Sequence, residues 1–155
     1  MICVVDYGLG NVQAILNIYE HVGVDACAAA TGAELRTGDR LILPGVGSFD
    51  WAMTRLNQSG MREDLNAMVL EERVPILGIC VGMQMMMEWS EEGDLEGLGW
   101  VEGGVKRLGR AGPRGRRLLP HMGWNDVAPL AGADLFVGRS ALSTLTSKKV
   151  ERENA

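Results

Sequence analysis

The chain has 155 residues, a hydrophobic content of 46% and a formal net charge of −5. This length and apolar content suffice for one folded domain with a buried core, which excludes wholesale disorder. The acidic balance argues against a nucleic-acid partner, and no apolar run is long enough to span a bilayer, so no membrane partner is expected either.

The first residues, MICVVDYG, carry no basic stretch ahead of their apolar run, so a signal peptide is not expected. The three cysteines, Cys3, Cys27 and Cys80, are odd in number, widely spaced and without a CxxC pair. A disulfide framework and a zinc site are therefore not expected, and neither is any other cofactor. The expected compartment is the reducing cytoplasm.

Short apolar runs alternate with helical patterns four times in the first ninety residues. The predicted strands are residues 2–5, the weaker segment VDACAAA (24–30), residues 41–43 and PILGI (75–79). The predicted helices run from Val12 to a stop at Gly23, from Ser48 to a stop at Gly60, from Leu65 to Glu72, and over CVGMQMMMEW (80–89). This alternation predicts a three-layer α/β fold, with a mainly parallel sheet between helices on both faces.

After Glu91 the chain is rich in glycine and has no helical period, which indicates short strands and loops, added antiparallel to the main sheet. No linker interrupts the chain, so residues 1–155 are predicted to form a single domain. The polar end of the chain, SKKVERENA, is expected to fray.

Three glycine-bearing turns, DYGLGN, PGVGSF and GICVG, follow predicted strands and should project from the same edge of the sheet. In the third, Cys80 lies between Gly78 and Gly82, after a strand and before a helix. This spacing is typical of a nucleophile elbow, with the Val81 N–H placed to stabilise an oxyanion. A buried small hydrophobic residue is the equal alternative on spacing alone.

Other candidates have simple structural alternatives. The turn from Pro44 to Gly47 can aim a backbone N–H at a substrate oxygen, although an ordinary strand exit explains it as well. Gln84 lies one helical turn after Cys80 and can bind a polar substrate, and Glu92 is similarly ambiguous. His121 is the single candidate base in the second half, with a structural role or a partner contact as the alternative.

Taken together, DYGxGN, LPGVGSF, PILGICVGMQ with the following SEEG, and PHMGWN resemble the class I glutamine amidotransferases, and among them the glutaminase subunits of imidazole glycerol phosphate synthase. The resemblance implies a flavodoxin-like fold and a Cys80 thiolate that attacks the side-chain amide of glutamine. It also implies a (β/α)₈-barrel cyclase partner that receives ammonia in histidine biosynthesis. The implied site residues are Gly45, Val46, Gly47 and Val81 for the oxyanion hole, Gly82, Gln84 and Glu92 for glutamine, and Asn11, His121, Trp124 and Asn125 for the partner interface.

The family pattern ends after LFVG, at Gly138. The family's HSY segment and its HPE motif, which holds the histidine and glutamate of the triad, do not follow. We therefore expect a chain without the family's last strands and helix, a divergent tail over residues 139–155, and doubtful activity. A frameshift or sequence error, a truncated gene, and an active variant with another base, such as His121, are the competing explanations.

Three alternative functions remain open at this point. The first is a catalytically dead binding subunit, and the second is a paralogue that supplies ammonia for surface-sugar amination. The third is an esterase-like cysteine hydrolase. The last is weakly supported because no Asp/His pair follows Cys80 at suitable positions.

Overall fold

The structure, a computed structural model, describes residues 1–107, 111–112, 115–116, 124–127 and 142–145. The chain divides into two compact units, of which one spans Met1–Lys106 and the other Arg107–Val150. The single domain over residues 1–155 stays a prediction. No helix in the described part of the chain is long and apolar enough to cross a membrane.

The first unit alternates strands and helices along the chain. Its strands are β1 (Ile2–Val5), β2 (Ala26–Ala29), β3 (Arg40–Leu43), β4 (Ile76–Gly78), β5 (Met87–Ser90) and β6 (Val101–Val105). Its helices are α1 (Val12–His21), α2 (Gly32–Leu35), α3 (Phe49–Ser59), α4 (Arg62–Asn66), which continues into a π-helical turn (Ala67–Glu71), and α5 (Val81–Met85).

Strands β1 to β4 form one sheet in the order β2-β1-β3-β4. Every neighbouring pair is parallel. Cys3 in β1 lies opposite Cys27 in β2 and opposite Leu41 in β3, and Leu41 lies opposite Ile76 in β4. The predicted alternation and the parallel sheet are confirmed. All four strands therefore end at one edge, which is where such sheets place their sites.

Helix α3 shows how the apolar spacing forms the core. Phe49, Ala52, Met53 and Leu56 lie on one face and are all buried. The helix ends at Gly60, which adopts the left-handed conformation with φ 76°. The predicted helix from Ser48 to Gly60 is confirmed.

The predicted helix over residues 80–89 is wrong in its second half. α5 ends at Met85, and β5 begins at Met87 and pairs in parallel with β6. The N–H of Leu98 donates to the carbonyl of Met85 at 2.7 Å, and the N–H of Val101 donates to that of Met86 at 3.0 Å. These carbonyls are thus bonded by a distant segment, so tertiary pairing ends the helix although the methionine run contains no helix breaker.

The described strands of the second unit are short and antiparallel. β7 (Ala111–Gly112) pairs with β8 (Gly115–Arg116), and β9 (Trp124–Val127) pairs with β10 (Leu142–Leu145). Short strands were expected after Glu91, but the first of them, β6, pairs in parallel with β5. Apart from β10, the predicted tail 139–155 lies outside the described residues.

Candidate active site

Three turns meet at the carboxyl edge of the four-stranded sheet, as predicted. A Cβ atom built on Gly10 would lie 2.8 Å from the Cβ of Pro44, and one built on Gly45 would overlap the amide nitrogen of Gly82. The turn after β3 therefore packs between the turn after β1 and the first turn of α5. Glycine is required at these positions because a side chain on Gly10 would meet the ring of Pro44, and one on Gly45 would meet the backbone of α5.

Cys80 occupies a strained position between β4 and α5. Its backbone angles are φ 56° and ψ −119°, and Cys80 is exposed. A non-glycine residue in this region costs on the order of 1–3 kcal/mol and persists only where the surroundings determine it. The exposure contradicts the alternative of a buried small hydrophobe, and the geometry is that of a strand–turn–helix elbow.

The two flanking glycines make the elbow possible. A Cβ atom on Gly78 would lie 2.5 Å from the Cα of Met83, and one on Gly82 would overlap the carbonyl oxygen of Leu43. The end of β4 thus contacts the backbone of α5, and the start of α5 contacts the backbone of β3. This packing holds Cys80 in its strained conformation.

Backbone amides surround the elbow. The N–H of Gly82 donates to the carbonyl of Ile79 at 3.0 Å, and that of Met83 donates to the carbonyl of Cys80 at 3.1 Å. Val81, as the first residue of α5, has an N–H without an intrahelical acceptor. In the neighbouring turn Val46 is exposed and Gly47 has φ 90°.

Tyr7 is a buried residue beside the proposed oxyanion turn whose place sequence reasoning missed. Its hydroxyl donates to the carbonyl oxygen of Pro44 at 2.7 Å and lies 3.5 Å from the sulfur of Met85. Burial, with a smaller contribution from the charge of Cys80, raises the pKa of Tyr7 to about 12. The available signal was its place in DYGLGN, directly after β1, because a tyrosine hydroxyl usually finds a partner when it is buried.

The two predicted glutamine-binding side chains lie in different settings. Gln84 is buried within α5, and its Oε1 atom has no hydrogen-bond partner among the residues that the structure describes. A buried acceptor without a donor is costly, which makes this oxygen a candidate ligand for a substrate N–H. Glu92 follows β5 and is half-buried, and its backbone N–H donates to the Oγ of Ser90 at 3.2 Å.

The predicted partner residues are only partly described. Asn11 is exposed and caps α1, because its Oδ1 accepts a hydrogen bond from the N–H of Ala14 at 3.1 Å. Trp124 and Asn125 belong to β9, and His121 lies outside the described residues. The partner-contacting roles stay predictions.

The family model for class I glutamine amidotransferases matches residues 3–149, and the chain belongs to this family. A solved structure titled "Crystal structure of glutamine amidotransferase" shares the fold, with a TM-score of 0.61 and 20% sequence identity. The match covers 81% of this chain and 62% of that one. The flavodoxin-like α/β fold is therefore confirmed.

The similar curated proteins define the type within the family. The HisH subunit of imidazole glycerol phosphate synthase from Bdellovibrio bacteriovorus is 51% identical over 138 residues, which are 89% of this chain and 68% of that protein. The subunit from Leptospira interrogans is 39% identical, over 88% of this chain and 67% of that protein. HisH 2 from Pseudomonas aeruginosa is 43% identical, over 83% of this chain and 62% of that protein. This is a HisH-type glutamine amidotransferase, and it spans about two thirds of the length of these relatives.

Proposed function

We propose that this chain provides the glutaminase of an imidazole glycerol phosphate synthase, which hydrolyses glutamine to glutamate and ammonia for histidine biosynthesis. The observation that carries the proposal is the conformation of Cys80, an exposed cysteine at φ 56° at the carboxyl edge of a parallel sheet. Strain of this kind clusters at functional sites, and here it presents a sulfur to solvent at the start of a helix.

The reaction proceeds by nucleophilic catalysis. The Cys80 thiolate attacks the side-chain amide carbon of glutamine, the C–N bond breaks, and the nitrogen leaves as ammonia after taking up a proton. The γ-glutamyl thioester that remains is hydrolysed by water, which releases glutamate and restores the thiol.

Backbone groups next to Cys80 stabilise the charge that develops. The Val81 N–H and an N–H from Gly45, Val46 or Gly47 form the proposed oxyanion hole. The close packing of Gly45 against Gly82 supports this pairing, because it brings the two segments into contact.

The substrate is held by residues after Cys80. Gly82, Gln84 and Glu92 are the proposed glutamine-binding residues, and the unpartnered Oε1 of Gln84 supports this assignment. An N–H donor on the substrate would satisfy that buried oxygen.

The proposed partner is a (β/α)₈-barrel cyclase subunit that receives the ammonia. The support is that the similar proteins are named as subunits of imidazole glycerol phosphate synthase. Asn11, His121, Trp124 and Asn125 are the proposed contacts with this partner. The cytoplasm is the proposed compartment, in keeping with three free cysteines.

Covalent labelling tests the site without requiring turnover. A glutamine analogue with a diazoketone in place of the amide should form a thioether on Cys80 with loss of dinitrogen, and mass spectrometry of the peptides should locate it there. Free glutamine should protect, Cys80→Ser should abolish the label, and Cys27→Ser should not.

Labelling that glutamine does not prevent would contradict the proposed site. Ammonia release with the cyclase subunit present then separates a working glutaminase from a binding subunit. Turnover that is lost in Cys80→Ser supports the proposed function, and labelling without turnover supports the binding subunit.

A further inference from the structure

The segment that carries Glu92 is anchored at its far end by a side chain from another part of the chain. We infer that Asp50 is a positioning residue that holds residues 91–95, the Glu92 loop, in place for glutamine. This inference rests on the proposed function of Glu92 and of the Gly45–Gly47 turn.

Both oxygens of Asp50 hold the backbone of the Glu92 loop. Oδ2 accepts a hydrogen bond from the N–H of Asp94 at 3.0 Å, and Oδ1 accepts one from the N–H of Leu95 at 3.0 Å. A carboxylate that accepts two backbone N–H groups forms charge-assisted bonds, which are stronger than neutral ones. The loop has few alternative positions while both bonds are made.

Gly93 lets the loop come this close. A Cβ atom on Gly93 would overlap Oδ1 of Asp50 and would lie 2.9 Å from the Cδ1 of Phe49. The loop backbone is thus in direct contact with the first turn of α3, and the contact combines hydrogen bonding with packing.

Glu92 is held between two anchors. On one side Ser90 accepts the N–H of Glu92 through its Oγ at 3.2 Å and the N–H of Gly93 through its carbonyl at 3.2 Å. On the other side Asp50 takes the next two amides along the chain. On the near side the N–H of Glu91 also donates to the carbonyl of Val105 at 2.9 Å. Loss of the Asp50 carboxylate removes both of its bonds to the far side of the loop, and we expect the position of Glu92 to change with it.

The position of Asp50 connects the two halves of the site. Asp50 lies in the first turn of α3, three residues after Gly47, so the helix that follows the oxyanion turn also holds the substrate loop. A shift of this helix start therefore moves both elements together. Asp50 thereby connects the Glu92 loop to the helix that follows the proposed oxyanion turn.

The charge of Asp50 is maintained by the same bonds. The N–H groups of Asp94 and then Leu95 hold the pKa of the Asp50 carboxyl below its usual range. Asp50 is thus a carboxylate at neutral pH with an oxygen for each amide. An asparagine has a single acceptor oxygen, so Asp50→Asn should keep one bond, whereas Asp50→Ala keeps none.

The test compares Asp50→Ala and Asp50→Asn with the parent chain. The matched control is Glu63→Ala, which removes an exposed acidic side chain from the first turn of α4. Labelling of Cys80 by the diazoketone is followed as a function of reagent concentration. We expect Asp50→Ala to raise the half-saturating concentration about tenfold, because both hydrogen bonds to the loop are lost. Asp50→Asn should raise it less, because one of the two bonds remains.

The limiting rate of labelling and the rate with iodoacetamide, which does not use the Glu92 loop, should stay within about twofold. Amide hydrogen exchange at Asp94 and Leu95 should become about tenfold faster in Asp50→Ala. The control should change none of these quantities.

Two results would overturn the inference. The first is unchanged half-saturation and unchanged exchange in Asp50→Ala, and the second is an equal loss of reactivity toward both reagents, which marks general disruption. If the parent chain itself shows no saturable labelling, the proposed function fails, and the exchange measurement still decides whether Asp50 anchors the loop.

Discussion

Two strand-to-helix turns lie at the same edge of the sheet, and they differ in which residues adopt the positive φ angles that the sharp bend requires. In the turn from β1 to α1, positive φ angles fall on Gly8 and Gly10, and Asn11 caps the helix. In the turn from β4 to α5, the positive φ falls on Cys80, and no side chain caps the helix. The first turn is locally relaxed, whereas the second is held by its surroundings.

The helices that follow the two turns differ in length and in how far they are buried. α1 has ten residues and contains no fully buried one. α5 has five residues, and Val81, Gly82, Gln84 and Met85 are all buried. Both helices are too short to be stable without tertiary packing, and α5, with the shorter length and the more buried residues, depends on that packing more strongly. The strained cysteine thus directly precedes a short helix whose residues are mostly buried.

The largest effect should come from crowding the second turn. In Gly82→Ala the new methyl group overlaps the carbonyl of Leu43, a backbone atom that cannot rotate away, so we expect a loss of about 3 kcal/mol in the free energy of unfolding. Gly23→Ala is the control, because Gly23 has φ 70° and open space around it, and there we expect about 1 kcal/mol. Urea unfolding measures both losses. Equal losses in the two variants would show that the close packing around Gly82 adds nothing to the cost of the substitution.

A smaller effect should appear in Tyr7→Phe, which removes the bond that joins the first turn to the carbonyl of Pro44. Loss of this buried bond should cost about 1–2 kcal/mol at neutral pH. The pKa of Tyr7 is raised from 10.0 to about 12, so the folded state keeps a proton that the unfolded state releases. Stability is therefore full below pH 10 and declines as the pH rises toward about 12.

Urea unfolding between neutral and alkaline pH checks this expectation. Tyr7→Phe should lack the alkaline decline of about 3 kcal/mol that the raised pKa of Tyr7 produces. Tyr19→Phe, in α1, is the control and should retain it. An undiminished decline in Tyr7→Phe would show that other groups cause it.

The smallest effects should have opposite signs in the two turns. Asn11→Ala removes the cap of α1 and should destabilise by about 1 kcal/mol. Cys80→Gly relieves the positive φ and should be about 1 kcal/mol more stable than Cys80→Ala, which retains the strain. Thermal or urea unfolding measures the differences, and a Cys80→Gly variant no more stable than Cys80→Ala would mean that the elbow stores no strain.

Local patterns were sufficient for much of the fold. The spacing of apolar residues from Val12 and the glycine at position 23 predicted α1, and Gly60 predicted the end of α3. These features could be read from neighbouring residues because helix periodicity and left-handed glycines act within one or two turns. The glycines around Cys80 likewise indicated an elbow, since only small residues fit such a bend.

The remaining features depended on residues far apart in the chain. Met87–Ser90 became a strand because Val101–Val105 pairs with it. Tyr7 found its acceptor 37 positions away, and Asp50 found its donors 44 and 45 positions away. The sequence by itself thus determined the parallel α/β alternation and singled out Cys80 as the proposed nucleophile. The tertiary structure alone decided which distant groups bond to the proposed oxyanion turn and to the Glu92 loop, because such hydrogen bonds exist only once the fold has brought the groups into contact.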